Sequence, residues 1–484
     1  MTSGELKTPG LKMFQPYGLV FLWGLFIISS AQAAPKGQAV LTIGPEVINK
    51  VFTQELTNHD AIQTLKDLPL HEALRKNYLS SIPLIGGLFN SVLKQITWLK
   101  VTKASIPQLA FQLSKEGRLQ IKIPLDMVAG LNIIITEKLI ELHMVTDVIA
   151  EVHTETDSQG HSHLVLSQCT SNPNNVGISL LQRFSFAVNK LADKVIDILM
   201  PALPILVKNE VCPVIEKAFQ SMTSKIYTWS ISPVPIGSNS LAFEVLSSSV
   251  VNSHFQIDLN ANLRDKGGKL IKIANDSQSS LTVPKMDSLE FSFIVEQDVV
   301  GAVFGVLLPP GEMMVLLDSV LAEIAHQMKS VLNKINPKAS VQLGPTQIVK
   351  ILTQEPPEII LKANSARMAQ LIVFEVFATN QATRPLFTLG IEASSEGQFY
   401  TEGNRLFFNL EGISSDQIHL MNSGTGLFSP ELMGTVINEI LLSVLLPNQN
   451  GILRNGIPLY IFKESGFDEV KVIPIQGALL FTPA

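Results

Sequence analysis

Residues 169–212 read CTSNPNNVGISLLQRFSFAVNKLADKVIDILMPALPILVKNEVC, and the only two cysteines of the 484-residue chain, Cys169 and Cys212, stand at its ends. Between them Leu181, Phe184, Val188, Leu191, Val195 and Ile198 recur at helical spacing, with Arg183, Lys190, Asp193, Lys194 and Asp197 largely opposite. The stretch reads as a long amphipathic helix that Pro201, Pro204 and Pro213 kink or interrupt. Its apolar stripe is wide enough to cover the mouth of a curled sheet. An even cysteine count behind a secretory leader reads as one disulfide formed in an oxidising compartment. Closing a loop of this size is worth about 3–4 kcal/mol.

The leader is residues 1–33. Lys7 and Lys12 precede an apolar stretch from Tyr17 to Ile28, and Ala31-Gln32-Ala33 supplies the small residues of a cleavage site, so the segment reads as a signal peptide, with Met13 a second candidate start. The apolar stretch falls short of the ~20 residues that span a bilayer, and no later run reaches that length. In a secreted chain Asn275-Asp276-Ser277, the single sequon, makes Asn275 the N-glycosylation candidate.

About 450 residues remain, too many for one core and enough for two domains. The chain is 46% hydrophobic and 16% charged, which leaves much apolar surface to be buried or turned towards an apolar ligand. Residues 34–235 carry 18 Lys and Arg against 17 Asp and Glu, and residues 236–484 carry 16 against 24. Neither half has the basic excess of a nucleic-acid binder. Lys94, Lys100, Lys103, Lys115, Arg118 and Lys122 do fall close together in sequence with one acid, Glu116, among them. They read either as solvated strand edges and turns, which is the favoured reading, or as an anion site.

The organisation repeats. Gly44-Pro45-Glu46 opens a helix carrying Val47, Ile48, Val51, Phe52 and Leu56. Residues 97–168 then alternate like strands, as at Leu119, Ile121 and Ile123, before the long helix. Ser247-Ser248-Ser249 follows the strand-like Leu241–Leu246, so a linker is expected over 247–253, between domains at 34–246 and 254–484. In the second half, helices are expected at Val299–Leu308 and Glu312–Lys329 and strands at 370–377, 386–393 and 405–411. A long helix then opens at Ser429-Pro430-Glu431, carries Met433, Val436, Ile437, Ile440, Val444 and Leu445, and stops at Pro447. The match between Leu41–Glu55 and Val341–Glu355 is read as chance, the second copy being strand ahead of Pro356-Pro357.

Motifs for covalent chemistry are missing: there is no nucleophile elbow, zinc-protease helix, phosphate loop or paired-cysteine metal motif. The expectation is a protein that is not an enzyme and carries no cofactor. His153, His161 and His163 put imidazoles near one another, and His-x-His on a strand faces both rings the same way, but without a third fixed ligand surface histidines are the favoured reading and no metal is expected. Ile82–Phe89, apolar with Gly86 and Gly87, reads equally as a loop under a ligand or as a buried loop.

Several stretches together resemble the family of bactericidal/permeability-increasing protein, lipopolysaccharide-binding protein and the plasma lipid-transfer proteins. They are the cysteine pair, Gln354-Glu355-Pro356-Pro357-Glu358, and Met421–Gly424 leading through Ser429–Leu432 to Leu445-Leu446-Pro447. Lys122–Gly130, Leu386–Glu396 and Leu446–Gly451 are similar to the long members of its palate, lung and nasal epithelium group. The resemblance covers nearly the whole mature chain and implies an α+β, boomerang-shaped fold of two twisted antiparallel barrels, each packed with long helices and joined through a central sheet. It implies one disulfide, with one cysteine ending a strand and the other following the long helix.

The resemblance also implies a secreted protein of airway and oral fluid that binds phospholipid and bacterial lipopolysaccharide in apolar pockets and modulates host responses. Bacterial surfaces are possible partners, and contact with membranes is peripheral at most. Phe184, Leu191, Val195 and Leu199 on the first long helix, and Val436, Ile440 and Val444 on the second, are the lipid-pocket candidates, or ordinary core if the pockets are filled. The six cations from Lys94 to Lys122 are the anionic-headgroup candidates, although the near-neutral N-terminal half departs from the basic character of the family's bactericidal members. A lipid-transfer or surfactant-like role, and a scaffold that binds no lipid, are the alternatives.

Overall fold

Residues 39–43, AVLTI, are all buried, and they form the strand around which the molecule is built. This strand pairs antiparallel with His254–Arg264 on one side and with Phe291–Glu296 on the other. A strand with neighbours on both sides and both faces buried has no solvent-facing side to show, which is why the run is apolar but for Thr42. The computed structural model describes residues 37–75, 94–114, 118–134, 139–158, 162–171, 173–273, 290–344, 346–378 and 384–484, and everything below concerns these. The signal peptide, Ile82–Phe89, Lys115, His161 and Asn275 lie outside the described residues.

The fold is α+β, with two domains of curled antiparallel sheet and helices. The central sheet runs in the order Val470–Ile475, Ala478–Pro483, Phe291–Glu296, Ala39–Ile43, His254–Arg264, Asn239–Val251, Val234–Ile236, so strands from both halves of the chain lie side by side. The N-terminal sheet is ordered Ile96–Ser105, Leu119–Ile133, Ile140–Thr156, Ser162–Ser171. The inward residues of Leu119–Ile133 follow the expected alternation, with Leu119, Ile121, Ile123, Leu125 and Met127 all buried. The C-terminal sheet is led by Ser365–Ala378 and Pro385–Glu402, paired from Ala366↔Gly397 to Phe377↔Pro385.

Each domain is closed by one long helix. The first runs 46 residues from Phe186 to Ile231 and the second 24 residues from Pro430 to Leu453. By length and composition both are apolar enough to cross a membrane, contrary to the expectation from unbroken runs, but their stripes pack into the domain cores. Both contain a five-residue π segment, Val207–Val211 and Leu441–Leu445. In each, a proline follows two residues later, Pro213 or Pro447. A proline ring in an α-helix collides with the carbonyl four residues back, and the wider π turn displaces that carbonyl, here of Asn209 or Ser443. The second helix therefore does not stop at Pro447 as expected, but continues to Leu453.

Cys169 and Cys212 are bonded, their Cα atoms 5.7 Å apart. Cys169 lies near the end of strand Ser162–Ser171, as expected, while Cys212 sits inside the long helix, directly after the π segment, rather than beyond it. Two other expectations are corrected. The stretch 247–253 is no linker: Ser247–Val251 complete a strand, and Asn252 and Ser253, both at positive φ, make the two-residue turn of a hairpin into His254–Arg264. Ser248 is 1% exposed, its hydroxyl donating to the Ser162 carbonyl at 3.0 Å. The segment Gly311–Leu316 is a strand paired with Gln347–Thr353, and helix begins only at Leu317.

Candidate functional site

Helix Gln297–Leu307 supplies the axis of the most apolar region. Its sequence QDVVGAVFGVL buries Val299, Val300, Val303 and Phe304, and Gly305 allows close approach to Pro356, which a Cβ would meet at 3.2 Å. Three cavities follow this helix from its first turn to its end.

The first lies at the seam of the two halves and has a volume of about 80 Å³. Trp229 from the end of the first long helix, Phe243 and Phe293 from the central sheet, Val300 and Phe304 from the axial helix, and Phe481 form its walls. The Phe243 and Phe293 rings meet edge to face at 5.4 Å. Of its hydroxyls, those of Ser230 and Ser232 donate back to the helix carbonyls of Tyr227 and Thr228, both at 2.8 Å. The wall is therefore apolar in effect.

The second cavity, about 160 Å³, shares Ile236, Phe304, Leu406 and Ile457 with the first. Its floor is an aromatic cluster in which Phe408 lies 4.3 Å from Phe399 and 5.0 Å from Phe304. Gly397 is required beneath it, since a Cβ there would come within 2.3 Å of the Phe408 ring.

The third, about 230 Å³, meets the second at Ile452 and is different in kind. Leu308, Met313, Ile351 and Leu445 make its walls, but Gln370 and Gln449, 7% and 5% exposed, face each other inside it. Gln449 Nε2 donates to Gln370 Oε1 at 2.8 Å, and Gln370 Nε2 donates to Gln449 Oε1 at 3.4 Å. Glu312 and Glu355 stand at the exposed rim. Lys350 Nζ pairs with Glu312 at 2.7 Å, and the hydrogen bond to Glu312, aided by the charges of Glu312 and Glu375, raises the lysine's pKa.

A separate groove of about 300 Å³ lies in the N-terminal half between strand residues His163–Leu166 and the helix face Glu216, Gln220, Thr223 and Tyr227. Its lining mixes apolar Leu164, Val165, Leu166 and Phe219 with these polar groups, and Tyr227 ties its sides: the Leu164 N–H donates to its hydroxyl at 3.4 Å, and that hydroxyl lies 3.0 Å from Ser248 Oγ.

The residues singled out from sequence are placed otherwise. Leu191, Val195 and Leu199 are in the large core with Phe184 packed against it, and Val436 and Ile440 are in the C-terminal core with Val444 packed against it. None of the seven lines the three cavities along the axial helix. The cations do not converge. Lys100 and Lys103 lie opposite Gly130 and Val128, towards one end of strand Leu119–Ile133, while Lys122 is near its other end, about 20 Å from Lys103 along the strand. Lys122 pairs with Asp147 at 2.8 Å and Arg118 with Glu151 at 3.5 Å. Lys94, Lys100 and Lys103 are exposed and have no ion-pair partner among the described residues. His153 Nε2 meets Glu155 at 3.0 Å and His163 borders the N-terminal groove; no metal-binding group of three ligands occurs among the described residues.

Sequence reading missed Phe243, Phe293, Phe304 and Phe408, which come from elements far apart in the chain. The available signals were the excess of phenylalanine, 24 against 5 Tyr and 3 Trp, and the pair Gly301 and Gly305 within an apolar helix.

Sequence models of one family match both halves of the chain. The sequence model described as "LBP / BPI / CETP family, N-terminal domain" matches residues 54–222, and that for the family's C-terminal domain matches residues 326–482. BPI fold-containing family B member 1 of Homo sapiens is 46% identical over 473 residues, which cover 98% of each chain. The Mus musculus protein of that name is 41% identical over 473 residues, covering 98% of this chain and 100% of its own. Among solved structures, lipopolysaccharide binding protein aligns with a TM-score of 0.49 and 14% identity over 92% of this chain and 98% of its own.

Proposed function

Because the chain belongs to the LBP / BPI / CETP family, we propose that it binds lipids by taking an alkyl or acyl chain into the cavities along helix Gln297–Leu307. The observation that carries the reading is the seam cavity, walled by Trp229, Phe243, Phe293, Phe304 and Phe481 with its serine hydroxyls turned back onto the helix. Each CH₂ moved from water into such a space contributes about 0.8 kcal/mol. None of the three along the axial helix reaches alone the ~300 Å³ at which pockets for drug-sized ligands begin, whereas together they exceed it.

The finer reading is a secreted protein of mucosal fluid that lowers free lipid, bacterial lipopolysaccharide included, and so modulates host responses without covalent chemistry. Lys94, Lys100 and Lys103 support the anionic-headgroup part, and contacts so exposed are expected to weaken at raised salt. A second reading, an interaction scaffold with a filled interior, draws on the burial of all seven helix-stripe residues in or against the cores.

Native mass spectrometry with lipid extraction on protein secreted from epithelial cells separates the two. The lipid reading expects one acyl-bearing molecule per chain, lost in Val300→Phe at an unchanged fold. A compact protein that carries no lipid, and takes up none when offered phospholipid vesicles, supports the scaffold and rejects the lipid reading.

A further inference from the structure

The third cavity lies at the end of the axial helix with exposed residues at its rim, and its chemistry is that of a headgroup site. Each of Gln370 and Gln449 spends one N–H on the other, which leaves each amide a second N–H and spare acceptor capacity inside a cavity. Buried amides left with open valences favour a ligand that supplies hydrogen bonds there.

The rim sets the sign of that ligand. Glu312 is balanced by Lys350, but Glu355 has no ion-pair partner among the described residues, and Glu375 adds its field at Lys350. The mouth is therefore net negative, opposite to what a phosphate or carboxylate head would need. Ile452, itself 38% exposed, borders both this cavity and the second, and Phe304 borders both the second and the seam. The axial helix is 11 residues, about 16 Å, so a lauryl-length chain is of the right order to run from mouth to seam.

We propose that this run takes a single-chain amphiphile with a protonated amine head, the ammonium beside Glu355 and Glu312, the amide pair of Gln370 and Gln449 hydrogen-bonded to the head, and the chain along helix Gln297–Leu307. The proposal rests on the lipid-binding reading above and adds the charge of the head to it. Anionic lipids are turned away at this mouth, so any lipopolysaccharide contact belongs to the N-terminal lysines instead.

Three amphiphiles of one chain length test it on the full secreted chain, titrated below their micelle concentrations: dodecylamine, dodecanol and laurate. Dodecylamine is expected to bind about tenfold tighter than laurate at low salt, with the gap closing as salt is added. Glu355→Gln, at an exposed position, is expected to weaken dodecylamine several-fold and to strengthen laurate at an unchanged melting temperature. Gln449→Leu is expected to weaken dodecanol and dodecylamine together. Laurate binding as tightly as dodecylamine, or an unaltered Glu355→Gln, overturns the headgroup assignment while the chain-binding reading stands. Failure of all three to bind overturns both.

Discussion

Glu55 lies on the inner face of helix Pro45–Asn58 with 5% of its surface exposed, yet it keeps its charge. Burial works to raise its pKa. Hydrogen bonds from Ser221 Oγ at 2.7 Å and Asn58 at 3.3 Å, with Lys225 at 3.5 Å, outweigh that and hold the carboxyl below its ordinary range. Lys225 is 38% exposed, so solvent discounts the ion pair, and the Ser221 bond is the largest of the lowering contributions. A depressed carboxyl stabilises the fold above the unfolded value of ~4.3 and loses that contribution as pH falls through its lower folded value. Glu55→Gln is expected to cost about 1–2 kcal/mol at pH 7 by urea unfolding. The gap to the unaltered protein should narrow below pH 4; a gap that persists undiminished at pH 2–3 would show that Glu55 acts through packing alone.

At the scale of elements, the two π segments are a matched pair, each ending two residues before a proline that a long helix passes through, whereas Pro201 and Pro204 lie within regular α-helix. Deleting Val444 would remove the extra residue and turn all that follows by about 100° about the helix axis, carrying Gln449 away from Gln370 and driving the Pro447 ring onto a carbonyl. The expected loss is about 3 kcal/mol or more, against under 1 kcal/mol for Pro447→Ala, both read as unfolding midpoints. The helices themselves were legible in the sequence because a stripe such as Val188, Leu191, Val195 and Ile198 is a local signal. Passage through Pro447 was not, since nothing local distinguishes a proline that ends a helix from one relieved by a wider turn. Gly311–Leu316 was misread because GEMMVL has no clear period, and its partner, Gln347–Thr353, is remote. The Ser247–Ser249 run passed for a linker because serine composition cannot reveal that Ser248 packs beside Tyr227. The disulfide was legible, with no other cysteine to compete. The cavity walls were not, because Trp229, Phe293, Phe408 and Phe481 converge only through the tertiary fold.

Over the whole molecule, the central sheet ties the halves together. Ala39–Ile43 borders Phe291–Glu296, which borders Ala478–Pro483. Removing residues 470–484 would turn Phe291–Glu296 into an uncovered edge and bare the Phe293 and Phe481 contact at the seam. Hydrogen exchange of the truncated chain is expected to show faster amide exchange over both 291–296 and 39–43, reaching across into the N-terminal half; exchange confined to the C-terminal domain would mean that the halves hold together independently. The sheet also imposes a schedule on biosynthesis. Its innermost strand is made early and gains its second neighbour after roughly 250 further residues, but the sheet's last strand, Ala478–Pro483, is complete only after roughly 440, some 20–90 s at ribosomal rates. Until then the open edge of Phe291–Glu296 and the phenylalanines of the future seam stay accessible to chaperones, and to any amphiphile at hand, before the interior shuts.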